Sequence, residues 1–313
     1  MTNGGSGSER QSKNARREAA RQKARTLREE QRKRERRNRF FLQGGIGVGI
    51  LAILVVVALV VVSNIKPPSP GPVNMASDGI TIGKGFKAVR TAAIPANGKP
   101  TPTVRDKTSS VVTIRIYVDY FCPICNEFET ANKAQLSSWM KSGAATVEIH
   151  PISILDRSSL GTQYSTRAAN AAGCVAAYAP DNFWAWTQEM YVKQPAEGTV
   201  GLTNAQIIGV MKTAKVANIA KITPCVDNET YKGWVADATN RALNGPLPDS
   251  NVKTVTGTPT VIVDGQAYSA TDWTSASEFQ AFVLKAAGAS FNSGSSSTPT
   301  PTPTATPTPT STN

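Results

Sequence analysis

The chain has 313 residues, of which 40% are hydrophobic and 18% charged, with four cysteines, one histidine and a net charge of +12. That length exceeds one average domain, but both ends are non-globular in composition, so a single domain of about 200 residues is expected. The basic charge is local: residues 1–39 carry 14 Lys or Arg against 5 Glu, and the remainder holds 20 basic and 17 acidic residues. The high overall charge therefore excludes little about the partners of the globular part, and it does not make that part a nucleic-acid binder.

Residues 1–39 have almost no apolar side chains and cannot build a core, so they read as a disordered tail or a solvated, charge-laced helix. Gly44 to Val62 follows as 19 residues without a charge, extended upstream by Phe40, Phe41 and Leu42. At 1.5 Å per residue such a helix would be about 28 Å long, enough to cross a bilayer core. Segment 40–62 is thus read as a transmembrane signal anchor. The basic block before it places the N-terminus in the cytoplasm, against anionic membrane lipid, and the rest outside. A cleaved signal peptide is the alternative, against which stand the long basic region and the lack of a clean small-x-small site. Residues 63–78, with Pro67, Pro68, Pro70 and Pro72, read as an extended spacer.

Ile80 to Gly83 alternates like a short edge strand, and residues 95–110 read as a loop. Val111 to Val118 is an almost continuously apolar run, which predicts a central strand. It leads directly into Cys122-Pro123-Ile124-Cys125, and a helical pattern runs from Asn126 to about Lys141. A strand that delivers C-x-x-C to the first turn of a helix is the layout of a dithiol–disulfide centre. Residues three apart on that turn share a face, so the bond can form and break with little backbone movement. Pro123 suits a first helical position, where its missing N–H is not needed.

Cys122, at the helix start, is the expected nucleophile, with Cys125 pointing inward. Lowering a thiol pKa by ~3 units requires about 4 kcal/mol. A helix terminus supplies ~0.3–2 kcal/mol, so direct hydrogen bonds from N–H groups must provide most of the rest. The competing readings are a structural disulfide or half a zinc site, although a zinc site would want a second closely spaced pair.

Ala145 to His150 is a second strand, ended by Pro151. The strand–helix–strand order implies a parallel pair with a right-handed crossover. His150 is read as structural, because a thiolate that is already ionised needs no base. From about 156 to 244 the pattern is helical, with segments near Ser165–Ala179, Phe183–Tyr191, Asn204–Lys215 and Asn228–Leu243 separated at Pro180, Gln194-Pro195 and Thr223-Pro224. The aromatic residues Phe183, Trp184, Trp186 and Tyr191 read as packing. Cys174 and Cys225 lie in this stretch, 51 positions apart, each in its own helical context. In an oxidising compartment they read as a stapling disulfide, with a regulatory pair or two buried thiols as alternatives.

After Gly257 the sheet resumes at Thr260–Val263, turns at Asp264-Gly265 and returns along Gln266–Ser269. Ser277 to Ala287 is a closing helix with Phe279, Phe282 and Val283 on its apolar face. Residues 290–313 are Ser, Thr and Pro without charge and read as a disordered tail.

Phe121-Cys122-Pro123-Ile124-Cys125 and Gly257-Thr258-Pro259-Thr260-Val261-Ile262-Val263-Asp264-Gly265, about 130 residues apart, resemble the DsbA-like thioredoxin-fold disulfide oxidoreductases, in particular the membrane-anchored actinobacterial type. The resemblance spans roughly residues 79–289. It implies an α/β thioredoxin fold with an inserted all-helical subdomain, a cis Thr258–Pro259 bond beside Cys122, and pairing of the Thr258 backbone with an extended substrate segment. An ordinary strand-start proline is the bland alternative for Pro259.

The resemblance further implies that the dithiol oxidises unfolded secreted proteins, without an organic cofactor or a metal. A membrane quinone-linked reoxidase of the vitamin K epoxide reductase-like type would regenerate it. Two departures bear on strength. Ile116 stands where many members of this fold place a buried carboxylate six residues before the first cysteine, which leaves Asp119 as the nearest candidate proton acceptor for Cys125, or as a turn residue. Ile124 replaces the histidine of the most oxidising members. A reductase or isomerase of the same fold, and a non-catalytic wall-associated chaperone or binding module, are the competing functions.

Overall fold

A computed structural model describes residues 18–23, 25–34, 36 and 70–294. The chain divides into two units, residues 1–67 and 68–313. In the first, residues 18–23 and 25–34 are helical and exposed throughout, the solvated form of the charge-rich segment. Among the described residues no helix is long and apolar enough to cross a membrane; segment 40–62 and most of the tail 290–313 lie outside them.

The second unit is a five-stranded mixed sheet with helices. The strands β1 (Ile80–Ile82), β2 (Val112–Val118), β3 (Ala145–Pro151), β4 (Thr260–Val263) and β5 (Gln266–Tyr268) lie in the order β1-β3-β2-β4-β5. β2 and β3 are parallel, as the strand–helix–strand order predicts, and the other pairs are antiparallel. β2 is the middle strand, which explains its apolar run. Ile114, Ile116 and Val118 are fully buried in the main core with Phe128, Leu136 and Met140. Tyr117, one residue out of phase, joins a smaller cluster with Ala242, Leu247 and Ile262, because alternate strand residues face opposite sides.

On that second side the register sets Arg115 beside Glu148 and Tyr117 beside His150. Arg115 Nε donates to Glu148 Oε2 at 2.7 Å, and the Tyr117 and His150 rings stack with centroids 4.4 Å apart. His150 is buried in this structural arrangement.

Helix α1 (Pro123–Ser142) begins with Pro123 in the first turn and ends at Gly143, whose φ of 86° is a left-handed cap that a Cβ would oppose. Its buried face is Cys125, Phe128, Glu129, Asn132, Leu136 and Met140, a helical spacing of three and four. The Asp264-Gly265 turn has positive φ at both residues, 47° and 82°, as a two-residue hairpin requires. Helix α7 (Ala276–Gly294) closes the domain and runs seven residues past the end expected from its apolar pattern.

Between β3 and β4 lie α2 (Tyr164–Tyr178), α3 (Phe183–Val192), α4 (Asn204–Thr213), α5 (Ile219–Asp227) and α6 (Lys232–Asn244). Cys174 on α2 and Cys225 on α5 form a disulfide, with Cα atoms 5.9 Å apart. Pro224 is not a joint between helices. It lies inside α5, and the break comes later, at Asn228–Tyr231, where Glu229 has a φ of 47°. Burial of Ile222, Cys225 and Val226, with the disulfide, holds this short helix through the N–H that proline lacks. The spacer also needs correction, since residues 71–78 belong to the folded unit. Gly71 N–H donates to the Ile94 carbonyl, Asn74 Nδ2 to the Ala176 carbonyl, and Met75 is fully buried.

Candidate active site

β2 ends at Val118, and Asp119 to Phe121 carry the chain into α1 with Cys122 as its N-cap, in extended backbone geometry. Both Cys122 and Cys125 are unpaired thiols, but they are not equivalent. Cys122 is 6% exposed and Cys125 fully buried. A hydrogen bond from the Cys125 thiol, opposed by partial burial and helped by Thr258 and the Cys125 and Ile124 backbone N–H groups, lowers Cys122 to about 7. Burial, together with the adjacent Cys122 sulfur, pushes Cys125 well above the ordinary thiol range. These are the direct donors that the helix dipole alone could not replace.

Thr258 brings the second half of the site. The Thr258–Pro259 bond is cis, and the Cys122 thiol donates to the Thr258 carbonyl at 3.1 Å. The Thr258 hydroxyl is buried without a hydrogen-bond partner of its own and lies in reach of both sulfurs. It can turn its proton toward a thiolate when one forms. This side-chain role was not evident in the sequence, where only the Thr258 backbone suggested itself.

Asp119 is fully buried. Its Oδ1 accepts the Phe121 N–H at 2.9 Å, and its Oδ2 accepts those of Ile154 and Leu155 at 2.9 and 3.0 Å. Burial, partly offset by these donors, raises it to about 6. The carboxylate thus ties the loop after β3 to the entry of α1, while the residue's main chain serves the cysteines. Its carbonyl accepts the Cys122 N–H at 3.0 Å and its N–H points to Cys125. Cys174 and Cys225 are not brought to this site; they staple α2 to α5. Among the described residues no group of three or more His, Cys, Asp or Glu is placed to hold a metal.

A family model described as thioredoxin matches residues 99–284. The chain belongs to the thioredoxin family. Among solved structures it is similar to reduced DsbA of Mycobacterium tuberculosis, at 24% identity over 70% of this chain and 100% of that one, with a TM-score of 0.48. It is also similar to reduced DsbG of Mycobacterium tuberculosis, a disulfide bond oxidoreductase, at 24% identity, 71% and 96% coverage and a TM-score of 0.49. A third is MdbA of Actinomyces oris, a thiol-disulfide oxidoreductase, at 19% identity, 56% and 80% coverage and a TM-score of 0.45. No curated protein sequence matches the chain.

In this member of the thioredoxin family two further residues at the site were missed in the sequence. Glu129 is 1% exposed and lies one helical turn after Cys125, on the same face. Its Oε2 accepts Gln188 Nε2 at 2.9 Å, its Oε1 has no partner, and burial raises it to about 7. The spacing of four from Cys125 was the available signal, hidden because a glutamate on α1 looks like a solvated face. Gln194, read only as part of a joint, donates from Nε2 to the carbonyls of Tyr120 and Cys122 at 3.0 and 2.9 Å. No local pattern in the sequence announces that contact across 72 positions.

Proposed function

We propose that this protein is an extracytoplasmic thiol–disulfide oxidoreductase that introduces disulfides into secreted proteins through Cys122 and Cys125. The asymmetry of the pair carries the reading: one slightly exposed sulfur at a helix start, held near 7, backed by a sealed thiol held far above it. A purely structural bridge has no use for that difference. Membership of the thioredoxin family and the Thr258 carbonyl beside Cys122 support it further.

In the oxidising direction a substrate thiolate attacks Cys122 Sγ of the enzyme disulfide. The Cys122–Cys125 bond breaks, a mixed disulfide forms, and Cys125 leaves with the electron pair and takes up a proton. A second substrate thiolate then attacks the substrate sulfur of the mixed disulfide and releases Cys122 as a thiolate. Two electrons pass from substrate to enzyme. Thr258 and Pro259 line the substrate side, where the Thr258 backbone can pair with an extended segment. Asp119 is assigned as a candidate proton acceptor for Cys125 in the reverse step, when the buried thiol must lose its proton as the enzyme disulfide re-forms; Asp119→Asn should then remove an inflection near pH 6 from the turnover profile, and an unchanged profile would leave it a purely positioning residue.

The basic block and the uncharged run 44–62 support a single-pass anchor with the catalytic unit outside. The tail would then lie at anionic lipid, and the dithiol would be regenerated by a membrane quinone-linked reoxidase of the vitamin K epoxide reductase-like type. One observation favours a second reading, a reductase or isomerase. A thiol near 7 matches thioredoxin, at about 7, rather than a strong oxidant such as DsbA, at about 3.5.

The deciding experiment equilibrates the purified full chain across glutathione ratios, reads the Cys122–Cys125 potential, and follows oxidation of a reduced secreted protein. A potential toward about −120 mV with substrate oxidation lost in Cys122→Ser supports the oxidase. A potential near about −270 mV establishes the reductase, and a pair that never titrates overturns both.

A further inference from the structure

The end of α3 holds the start of α1 by one side chain. Gln194 Nε2 spans two peptide groups, donating to the carbonyls of Tyr120 and Cys122, on either side of Phe121. Its Oε1 accepts Asn126 Nδ2 at 3.1 Å, and the same Nδ2 donates to the Tyr191 carbonyl at 3.1 Å. Backbone carbonyls only accept, so every amide here has one permitted orientation. The Cys122 carbonyl otherwise receives the first helical N–H, from Asn126, at a longer 3.3 Å. The shorter bond to this N-cap carbonyl therefore comes from outside the helix. Gln194 is half-buried and stands with Pro123, Asn126, Glu127 and Thr130 along a groove of about 590 Å³.

We propose that Gln194 is a positioning residue for the nucleophile, fixing from the helical subdomain the two peptide planes that aim the first N–H groups of α1 at Cys122 Sγ. The Cys122 carbonyl orientation is the Cys122 ψ angle, and that angle decides where Sγ sits relative to the N–H groups of Ile124 and Cys125, which favour its thiolate. Without the Gln194 amide the plane is held by the single long bond from Asn126. The inserted subdomain then does more than cover the sheet, because it sets the reactivity of a cysteine it does not contain.

The inference rests on Cys122 being the attacking thiol, and its test needs no substrate. The rate of Cys122 alkylation against pH is measured in the reduced full chain, with the thermal midpoint alongside. Gln194→Leu, which keeps bulk but removes both donors and the acceptor, should move the alkylation midpoint up by about 0.5–1 unit, a three- to tenfold loss of thiolate at pH 6. Arg167→Met serves as control. It loosens loops of the same subdomain by removing the bonds from Nε to the Thr162 carbonyl and from Nη1 to the Leu202 carbonyl, and should lower the thermal midpoint with no change in the alkylation midpoint. If Gln194→Leu does not fold, Asn126→Ala removes the donor that orients Gln194, together with its bonds to the Tyr191 carbonyl and from the Thr130 hydroxyl, but leaves both Gln194 donors in place, and should shift the midpoint the same way by less. A folded Gln194→Leu with an unmoved midpoint, or a control that shifts as far, overturns the proposal. Failure of the oxidoreductase reading would appear instead in the wild-type protein, as a pair that never exchanges with glutathione.

Discussion

The molecule contains two pairs of cysteines on helices, and their surroundings have little in common. Cys122 and Cys125 share one helix start, where unpaired backbone N–H groups face a sulfur that still reaches solvent. Cys174 lies eleven residues into the fifteen of α2 and Cys225 seven into the nine of α5, where the backbone donors are engaged within the helices. Both are buried. On the function proposed above, redox chemistry falls to the pair at a helix start with unequal burial, and stapling to the pair buried within two helices. Closing the 51-residue separation stabilises the fold by up to about 4 kcal/mol on the chain-entropy estimate, whereas a bond that must open and close cannot serve that purpose.

The sharpest way to break this comparison is to exchange the roles. Cys122→Ser should lower oxidation of a reduced protein by at least about three orders of magnitude, since only a thiolate there can make the mixed disulfide. Its unfolding midpoint in urea should stay near that of the reduced wild type. Replacing Cys174 and Cys225 together by serine should do the reverse, with about 2–4 kcal/mol lost in urea unfolding and Cys122 alkylation unchanged within twofold. If turnover collapses in that variant while it remains folded, the second pair is not merely a staple.

Glu129 sharpens the active side of the comparison. Its folded value is raised to about 7, so the protonated form is favoured by folding. Its contribution is fully present below the ordinary glutamate range and is lost as pH rises through about 7. Glu129→Gln should therefore match the wild type at pH 4 and exceed it by about 1–2 kcal/mol at pH 8, where a buried charge is removed. A constant difference across that range, read from urea curves at both pH values, would exclude titration of Glu129 as the cause. The smallest effect is expected at Thr258. Thr258→Val keeps the carbonyl and removes only the hydroxyl, so the Cys122 alkylation midpoint should rise by a few tenths of a unit, about a twofold loss of rate at pH 6.

Much of the fold was legible because its signals are local. The apolar run of β2, the Pro123 start of α1, the Asp264-Gly265 turn and the parallel β2–β3 pair each follow from neighbouring residues. The C-x-x-C was legible for the same reason. The joint expected at Thr223-Pro224, between the segments near Asn204–Lys215 and Asn228–Leu243, is instead the helix α5, because a buried disulfide and apolar packing outweigh one missing N–H. The residues 71–78 resembled a spacer because proline and glycine are frequent just upstream, yet Met75 found a core to enter.

By itself the sequence determined which sulfurs are spaced to share a helix face, which strand delivers them and which segments cannot build a core. These are properties of short-range periodicity and backbone chemistry. Only the tertiary structure decided what surrounds the sulfurs: Thr258 at 136 positions from Cys122, Gln194 at 72, and the sealed space that raises Glu129. Such contacts depend on where distant segments pack, and no local spacing records them.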